Sequence, residues 1–368
     1  MKKINLYSLL LLSLICTSCS STRTYRVEDY RTTMKFHDNF KIMQLTDLHL
    51  GIESDLQEQL DFISNSIRQA DPDLIVFTGD NFMYSTKGIV KNFLKTINNV
   101  CKELTASHQE RLTKFAITYG NHDNQGDYHR YYINNQVKKY VTDDGKEIQD
   151  NKYCAFIDYE DDSLHGLTNY YIDLLNPNND SDVVYRLHII DSNTYHFTGL
   201  GYGYDVIYED QLEHHKKIYQ ESDDKDYIGL AFFHIPFTSF DEARLQYLNS
   251  SNPSQIGQGT FNEGVASAYY DNQSFEVLRS ANILGYFVGH DHINACDIIY
   301  NANESTNENK AIFSYGVKST NQLYHELDMV GYKLINLKEE MDVDTFLSID
   351  NINQNIINVT NRGDGYAS

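Results

Sequence analysis

The sequence has no tryptophan, only four prolines and five cysteines, and 30 lysines and arginines against 52 aspartates and glutamates, for a formal net charge of −22. Each shortage excludes something. So acidic a chain is not built as a general nucleic-acid binder, because binding the polymer relies on clustered Lys and Arg that neutralise phosphates. Small phosphate esters stay within reach, since bound metal ions would dominate the field they meet. With Cys16 and Cys19 in the leader, Cys101, Cys154 and Cys296 are left. That odd number fits neither a disulfide scaffold nor a thiolate metal site, and leaves at most one disulfide, which the sequence does not pair. Beyond the leader, no stretch is long and apolar enough to cross a membrane. Absent Trp and scarce Pro beside 29 tyrosines point to an AT-rich coding background more than to a mechanism.

The leader itself carries a signal. Lys2 and Lys3 precede the apolar run Leu6–Cys16, and the small residues Thr17-Ser18-Cys19-Ser20 follow, the layout of an export signal. Cys19 also resembles a bacterial lipoprotein acceptor, although Cys16 stands where leucine is usual three residues earlier. The expectation is an exported, lipid-anchored cell-envelope protein, with plain secretion as the alternative. Membrane association would then come only through the anchor or signal.

The rest of the chain reads as α/β. KIMQLTDLH forms a first strand, and Leu56, Leu60, Ile63 and Ile67 mark the buried face of a helix that Asp71-Pro72 ends. LIVFTGD, a helix around Lys87–Leu104 and FAITYGNHD complete a βαβαβ start with parallel strands. Residues 124–168 read as loops and a helix bordering the site. YYIDLL and YRLHIIDS are further strands, and a helix from about Glu209 to Ser222 precedes IGLAFFHIP. Residues 240–273 look like a long polar insertion, a candidate lid. AIFSYG and GYKLINL are expected to complete the second sheet.

Five of the apolar runs end in polar strings: Asp47-Leu-His49, Gly79-Asp80-Asn81, Gly120-Asn121-His122-Asp123, Phe233-His234-Ile235-Pro236 and Gly289-His290-Asp291-His292. In open α/β folds such residues fall at the carboxyl edge of the sheet, where ligands bind. One Gly-Asp or Gly-His turn alone is ordinary turn chemistry. Five together call for metal. Imidazole and carboxylate donors without cysteine suit iron, zinc, manganese or nickel. A carboxylate can bridge two cations with one oxygen to each, and Asp80 is the natural bridge. Asp47, His49, Asp80 and His292 are assigned to one ion, and Asp80, Asn121, His234 and His290 to the other. Two ions ~3.5–4 Å apart can hold a phosphoryl oxygen, acidify a water and stabilise in-line displacement. Asn121 is a neutral ligand and adds no charge to a site that must accept an anion. His122 is expected to face the substrate as a general acid or an electrostatic clamp.

The order D-x-H, GD-N, GNH-D, a lone His and GH-D-H resembles the calcineurin-like metallophosphoesterases, in particular the purple acid phosphatase-like branch that lacks the tyrosine ligand. The resemblance runs from about Lys41 to Tyr315, and the stretch from His188 through Asp191 to Asp210-Gln211-Leu212 shares it. It implies a four-layer α/β/β/α sandwich holding two divalent or mixed-valence metal ions, with a metal-bound hydroxide as nucleophile. Asp123 replaces the Glu that many members carry after GNH. Met83 stands where true purple acid phosphatases place their ligand tyrosine, with Tyr84 one step further, so a tyrosinate–iron centre is not expected. The segmentation is then a signal at 1–19, a tether at 20–40, a catalytic domain at 41–350 and an Asn-rich tail at 351–368.

The expected function is hydrolysis of small phosphate esters, with Asp80 and His122 as the catalytic pair. A phosphodiesterase acting on nucleotide or lipid-headgroup diesters is the alternative, and a catalytically silent surface binding protein is the alternative of another class. Asp123, His196 and Tyr204 are candidates for contact with ligands or substrate, with Tyr195 and Tyr202 as further pocket candidates. His129, His165, His214 and His215 read as packing or surface residues. The oligomeric state is left open.

Overall fold

The computed structural model describes residues 25–51, 55–108, 111–126, 128–143, 146–147, 153–157, 163–326, 328–339 and 346–347. The leader at 1–19 and the tail at 351–368 lie outside the described residues.

Along the chain, β1 (Arg31–Lys35) and β2 (Phe40–Leu45) precede α1 (Leu56–Ala70), β3 (Leu74–Thr78), α2 (Lys87–Ser107) and β4 (Lys114–Thr118). Next come α3 (Arg130–Val141), the two-residue strands β5 (Thr142–Asp143) and β6 (Lys146–Glu147), β7 (Asn169–Leu175) and β8 (Val183–Ile190). The hairpin β9 (Tyr195–Phe197) and β10 (Tyr202–Tyr204) leads to α4 (Glu209–Glu221), β11 (Ile228–Phe232), α5 (Ser239–Leu248), α6 (Pro253–Ile256) and β12 (Gly257–Phe261). The last elements are α7 (Ser274–Ser280), β13 (Ile283–Val288), β14 (Asn294–Tyr300), β15 (Ala311–Tyr315) and β16 (Lys333–Leu337).

Local chemistry accounts for the first helices. Asp55 caps α1 by accepting from the Glu58 N–H, and Leu60, Ile63 and Ile67 fall on its buried face at helical spacing. Asp71 closes the helix in the left-handed conformation ahead of Pro72. Thr86 caps α2 in the same way as Asp55 caps α1.

The strands form two main sheets. A four-stranded sheet runs β16-β2-β3-β4, with β2, β3 and β4 parallel. An eight-stranded mixed sheet runs β1-β7-β8-β11-β13-β15-β14-β12, and its centre, β8-β11-β13-β15, is parallel. Buried on both faces, the parallel strands read as unbroken apolar runs rather than alternating ones. Side chains of α1 and α2 pack with those of both sheets in one apolar core. Leu212 of α4, Phe240 of α5 and Phe275 of α7 cover the other face of the larger sheet. This is the expected α/β/β/α sandwich. Buried polar groups pin its two sheets together: Gln44 Nε2 donates to Val288 O at 3.0 Å, and Thr118 Oγ1 donates to Ile190 O at 2.9 Å.

Three expectations need correction. Residues 31–35, read as tether, are the edge strand β1, parallel to β7 and anchored by Arg31 Nε donating to Asp173 Oδ2 at 2.7 Å. Only Met34 of that strand is buried, so it carries no apolar run to betray it. Residues 240–273, read as an insertion, supply α5, α6 and the edge strand β12, which pairs antiparallel with β14. β12 reads Gly-Gln-Gly-Thr-Phe, and its glycines hide a strand that backbone pairing alone supports. AIFSYG and GYKLINL do not share a sheet: β15 lies in the larger one, while β16 pairs antiparallel with β2 in the smaller. Cys101, Cys154 and Cys296 are buried free thiols, so none of the three forms the disulfide that the sequence leaves open.

Candidate metal centre

The parallel strands of both sheets bring their carboxyl ends to one place. Asp47 and His49 follow β2, Asp80 follows β3, Asn121 follows β4, His234 follows β11, and His290 and His292 follow β13. The loops that carry them bond to one another through the backbone: Asp47 N to Gly79 O at 3.1 Å, His49 N to Asp80 O at 2.9 Å and Gly289 N to His234 O at 3.2 Å.

The backbone is bent hard at these points. Asp47, His49, Asp80 and His290 all take positive φ, at 56°, 48°, 47° and 80°. Such conformations cost about 1–3 kcal/mol each for residues other than glycine and persist where the surroundings over-determine them. Here they turn side chains off the strand ends toward a common centre. The glycines in the motifs serve the same convergence. Gly120 lies against Asp80 and Gly289 against Thr46 and Asp47, so a Cβ at either position would collide with the neighbouring loop.

The side chains then meet. One ligand atom from each of Asp47, His49, Asp80 and His292 lies within 4.8 Å of the others, and Asp80, His234 and His290 form a second such group. Asp80 belongs to both. Its Oδ2 is 3.4 Å from His49 Nε2 and 3.1 Å from His234 Nε2, while its Oδ1 accepts from the His122 N–H at 2.7 Å. Asp80 Oδ2 thus faces both groups, while a backbone donor bonds Oδ1. Asn121 follows Gly120, which packs against Asp80 and His234.

Asp47 Oδ1, His49 Nε2, Asp80 Oδ2, Asn121 Oδ1, His234 Nε2 and His290 Nε2 are all buried without a hydrogen-bond partner. Orphaned polar atoms cost about 1–3 kcal/mol apiece. Five of them fall in the two groups around Asp80, where His49 Nε2 and His234 Nε2 face only its carboxylate, and carboxylate and imidazole donors so arranged fit cations. The opposite ring nitrogens are held: His49 Nδ1 lies 3.0 Å from Asp47 O, His234 Nδ1 3.0 Å from Thr78 O and His292 Nδ1 3.0 Å from Tyr324 O. An Nδ1–H donated to a carbonyl leaves Nε2 free to ligate.

Charge in the cluster is tightly coupled. Burial alone would raise Asp47 and Asp80, but the neighbouring histidines hold both carboxyls well below the usual carboxylate range. Burial opposes the charged form of His234, yet the Asp80 carboxylate outweighs it and lifts that imidazole to about 9. Burial and Lys318 push His49 down to about 4, and burial with His234 pushes His290 to about 3.

Other singled-out residues play different parts. His122 is the open member: its side chain is 22% exposed, against 0–4% for Asp47, His49, Asp80, His234 and His292, and its Nε2 is 4.0 Å from Asp80 Oδ2. Asp123 is a knot between loops, accepting from Phe82 N and Gly120 N, each at 2.8 Å, and burial lifts its carboxyl to about 7. Tyr204 sets its ring edge-on to His290 with centroids 4.2 Å apart. His196 is not brought into the cluster; it stacks on Tyr269 with centroids 4.6 Å apart. Asp191 is also structural, receiving Arg130, Leu167 N and Asn193 N.

Sequence reading missed Lys318. It is buried, and its Nζ donates to Asp47 O at 2.9 Å and lies 3.1 Å from His49 Nδ1. Burial lowers its amine to about 8. Its place just past β15, another parallel strand of the larger sheet, is the same signal that marked the ligands. Tyr324, whose ring stacks on His292 at 4.3 Å, carried no comparable signal.

A family model described as calcineurin-like phosphoesterase matches residues 40–294. The chain is 27% identical over 300 residues to phosphatase DCR2 of Saccharomyces cerevisiae, a match that covers 75% of this chain and 47% of that protein, so it spans about half that relative's length. It is 29% identical over 298 residues to a protein of Arabidopsis thaliana named probable inactive purple acid phosphatase 29, covering 72% of this chain and 70% of that one. Among solved structures, a dimetal phosphatase from Danio rerio aligns over 82% of this chain and 94% of its own, with TM-score 0.46 and 13% sequence identity. The family match takes in most of the chain and every one of the five strand-end motifs: this protein belongs to the calcineurin-like phosphoesterase family.

Proposed function

We propose that this chain hydrolyses small phosphate esters with two metal ions, one held by Asp47, His49, Asp80 and His292 and the other by Asp80, Asn121, His234 and His290. The observation that carries the reading is the convergence of Asp47, His49, Asp80, His234, His290 and His292 into two buried groups that share Asp80. When bound, the ions would supply Lewis acidity toward phosphoryl oxygens and water. Asp47 and Asp80 are the groups that offset their charge. Asn121 adds a donor without a further negative charge, leaving the site able to accept an anion. His122 is more exposed than the candidate ligand side chains and would give a proton to the leaving oxygen. Asp80 Oδ1, by accepting from the His122 N–H, fixes the turn from which that imidazole projects.

A second reading, a fold-conserving binding protein without turnover, has one observation in its favour: three Arabidopsis thaliana relatives are named as probable inactive purple acid phosphatases. The complete candidate ligand set in this chain weighs against it. Export as a lipoprotein, proposed from the leader, would put the reaction in the cell envelope.

The test is metal analysis of the purified protein paired with hydrolysis of para-nitrophenyl phosphate and its bis-ester. Two ions per chain, with turnover lost to chelator and restored by manganese, zinc or iron, is the expected outcome, with the monoester preferred. Preference for the bis-ester would move the assignment to a phosphodiesterase. No metal and no turnover after reloading would leave the binding protein.

A further inference from the structure

The β9–β10 hairpin supplies no candidate ligand, yet two of its tyrosines touch two of them. Tyr195 and Tyr204 face each other in the hairpin register. Asn121 Nδ2 donates to Tyr195 Oη at 2.7 Å, and the Tyr204 ring stands edge-on to His290. Asn121 and His290 both belong to the second candidate group, and the ring centroids of Tyr195 and Tyr204 are 5.6 Å apart. The hairpin therefore backs one half of the metal centre and not the other.

The chemistry of a primary amide gives this contact a consequence. The two ends of the Asn side chain have nearly the same shape, but Oδ1 accepts bonds and Nδ2 only donates them. An amide turned the wrong way would aim two N–H donors at the cations. Nothing in its shape prevents that, so its neighbours must decide. For Asn121 the outward neighbour is a phenol oxygen, which accepts from Nδ2 and leaves Oδ1 pointing inward, buried and unpartnered. Asp47 and Asp80, with an oxygen at each end, have no such requirement.

Building on the two-metal reading, we propose that Tyr195 is a positioning residue for the second metal site: its hydroxyl, by accepting from Nδ2, anchors the Asn121 side chain with Oδ1 turned inward. The Tyr204 ring supports the same half by restricting His290.

Tyr195→Phe keeps the ring and removes the anchoring oxygen. In metal titrations of chelator-stripped protein with manganese, followed by calorimetry, the expected result is a 10–100-fold loss of affinity at one site, with the other unchanged. The Tm of the stripped protein should fall only by the small amount that one lost hydrogen bond explains, with the far-UV circular dichroism unchanged. In an Asn121→Ala background, where the amide is gone, Tyr195→Phe should cause no further loss. Tyr202→Phe on the same hairpin serves as a control, because Tyr202 is 78% exposed and contacts Phe197 rather than a candidate ligand. Unchanged manganese affinity in Tyr195→Phe overturns the inference, as do equal losses at both sites, an altered circular dichroism spectrum of the stripped variant, or a further loss in the Asn121→Ala background. A wild-type protein that fails to bind two ions sinks the two-metal reading and this inference together. A wild type with two ions and an indifferent Tyr195→Phe sinks the inference alone.

Discussion

His188 and His215 are as deeply buried as His234, and they too carry ring nitrogens without hydrogen-bond partners, yet they sit in the opposite electrostatic setting. Between His188 and His215 the Nδ1 atoms are 2.9 Å apart, so one ring donates to the other and both Nε2 atoms are left over. Burial first, then neighbouring cationic groups, push both imidazoles well below their ordinary value: Arg186 and His214 act on His188, and His188 and His214 act on His215. In the other setting, the Asp80 carboxylate lies 3.1 Å from His234 and reverses the effect of burial. Among the described residues, only the carboxylate-bearing groups gather three or more ligand atoms. Buried histidine alone is thus a packing residue held neutral. Buried histidine beside buried carboxylate makes a place for a cation.

Breaking the carboxylate half of that contrast should have the largest effect. Asp80→Asn removes the anion shared by both groups, so metal analysis should find both ions lost and turnover at background. His292→Ala is the next step down. It removes a donor from the first group only, and one ion per chain should remain with circular dichroism unchanged; loss of both would show that the two groups do not bind separately. His122→Ala should keep both ions and slow turnover on the order of 10²–10⁴-fold, the scale of a lost general acid. If metal were lost instead, His122 would be a ligand and not a proton donor.

The smallest effect belongs to the other pair. His188→Leu should leave metal content and turnover as in the wild type. Its signature is in stability against pH. Because His188 and His215 are depressed in the folded state, the unfolded chain binds protons that the native one does not. Their contribution is therefore present above about 6.5, the unfolded histidine value, and is lost as pH falls below it. Denaturant midpoints measured from pH 7 down to 5 should fall less steeply in His188→Leu than in wild type. An equal slope would mean that the pair does not stay neutral in the fold.

Much of this was legible in the chain. The runs LIVFTGD, FAITYGNHD, IGLAFFHIP and ILGYFVGHDH specify buried parallel strands by their continuous apolar character, and each ends in a residue that the structure brings to the centre. α1 and α2 were readable from helical spacing and their ends. β1 and β12 were not, because an edge strand is held by backbone hydrogen bonds and needs no apolar run. The placement of β16 was equally hidden, since KLINL satisfies either sheet and only its register with β2 decides.

By itself, then, the sequence determined which side chains stand at strand ends and what chemistry they carry, because periodicity and residue type are local. Tertiary structure decided what depends on neighbours distant in the chain. Asp80 turns Oδ2 to both groups while the His122 N–H bonds Oδ1. Asn121 is anchored with its oxygen inward by Tyr195, 74 residues away, which accepts from its Nδ2. Lys318 lies under Asp47 and His49 because β15 runs parallel to β13. Hydrogen-bond direction and the sharing of charge are properties of the assembled pocket, and no local pattern encodes them.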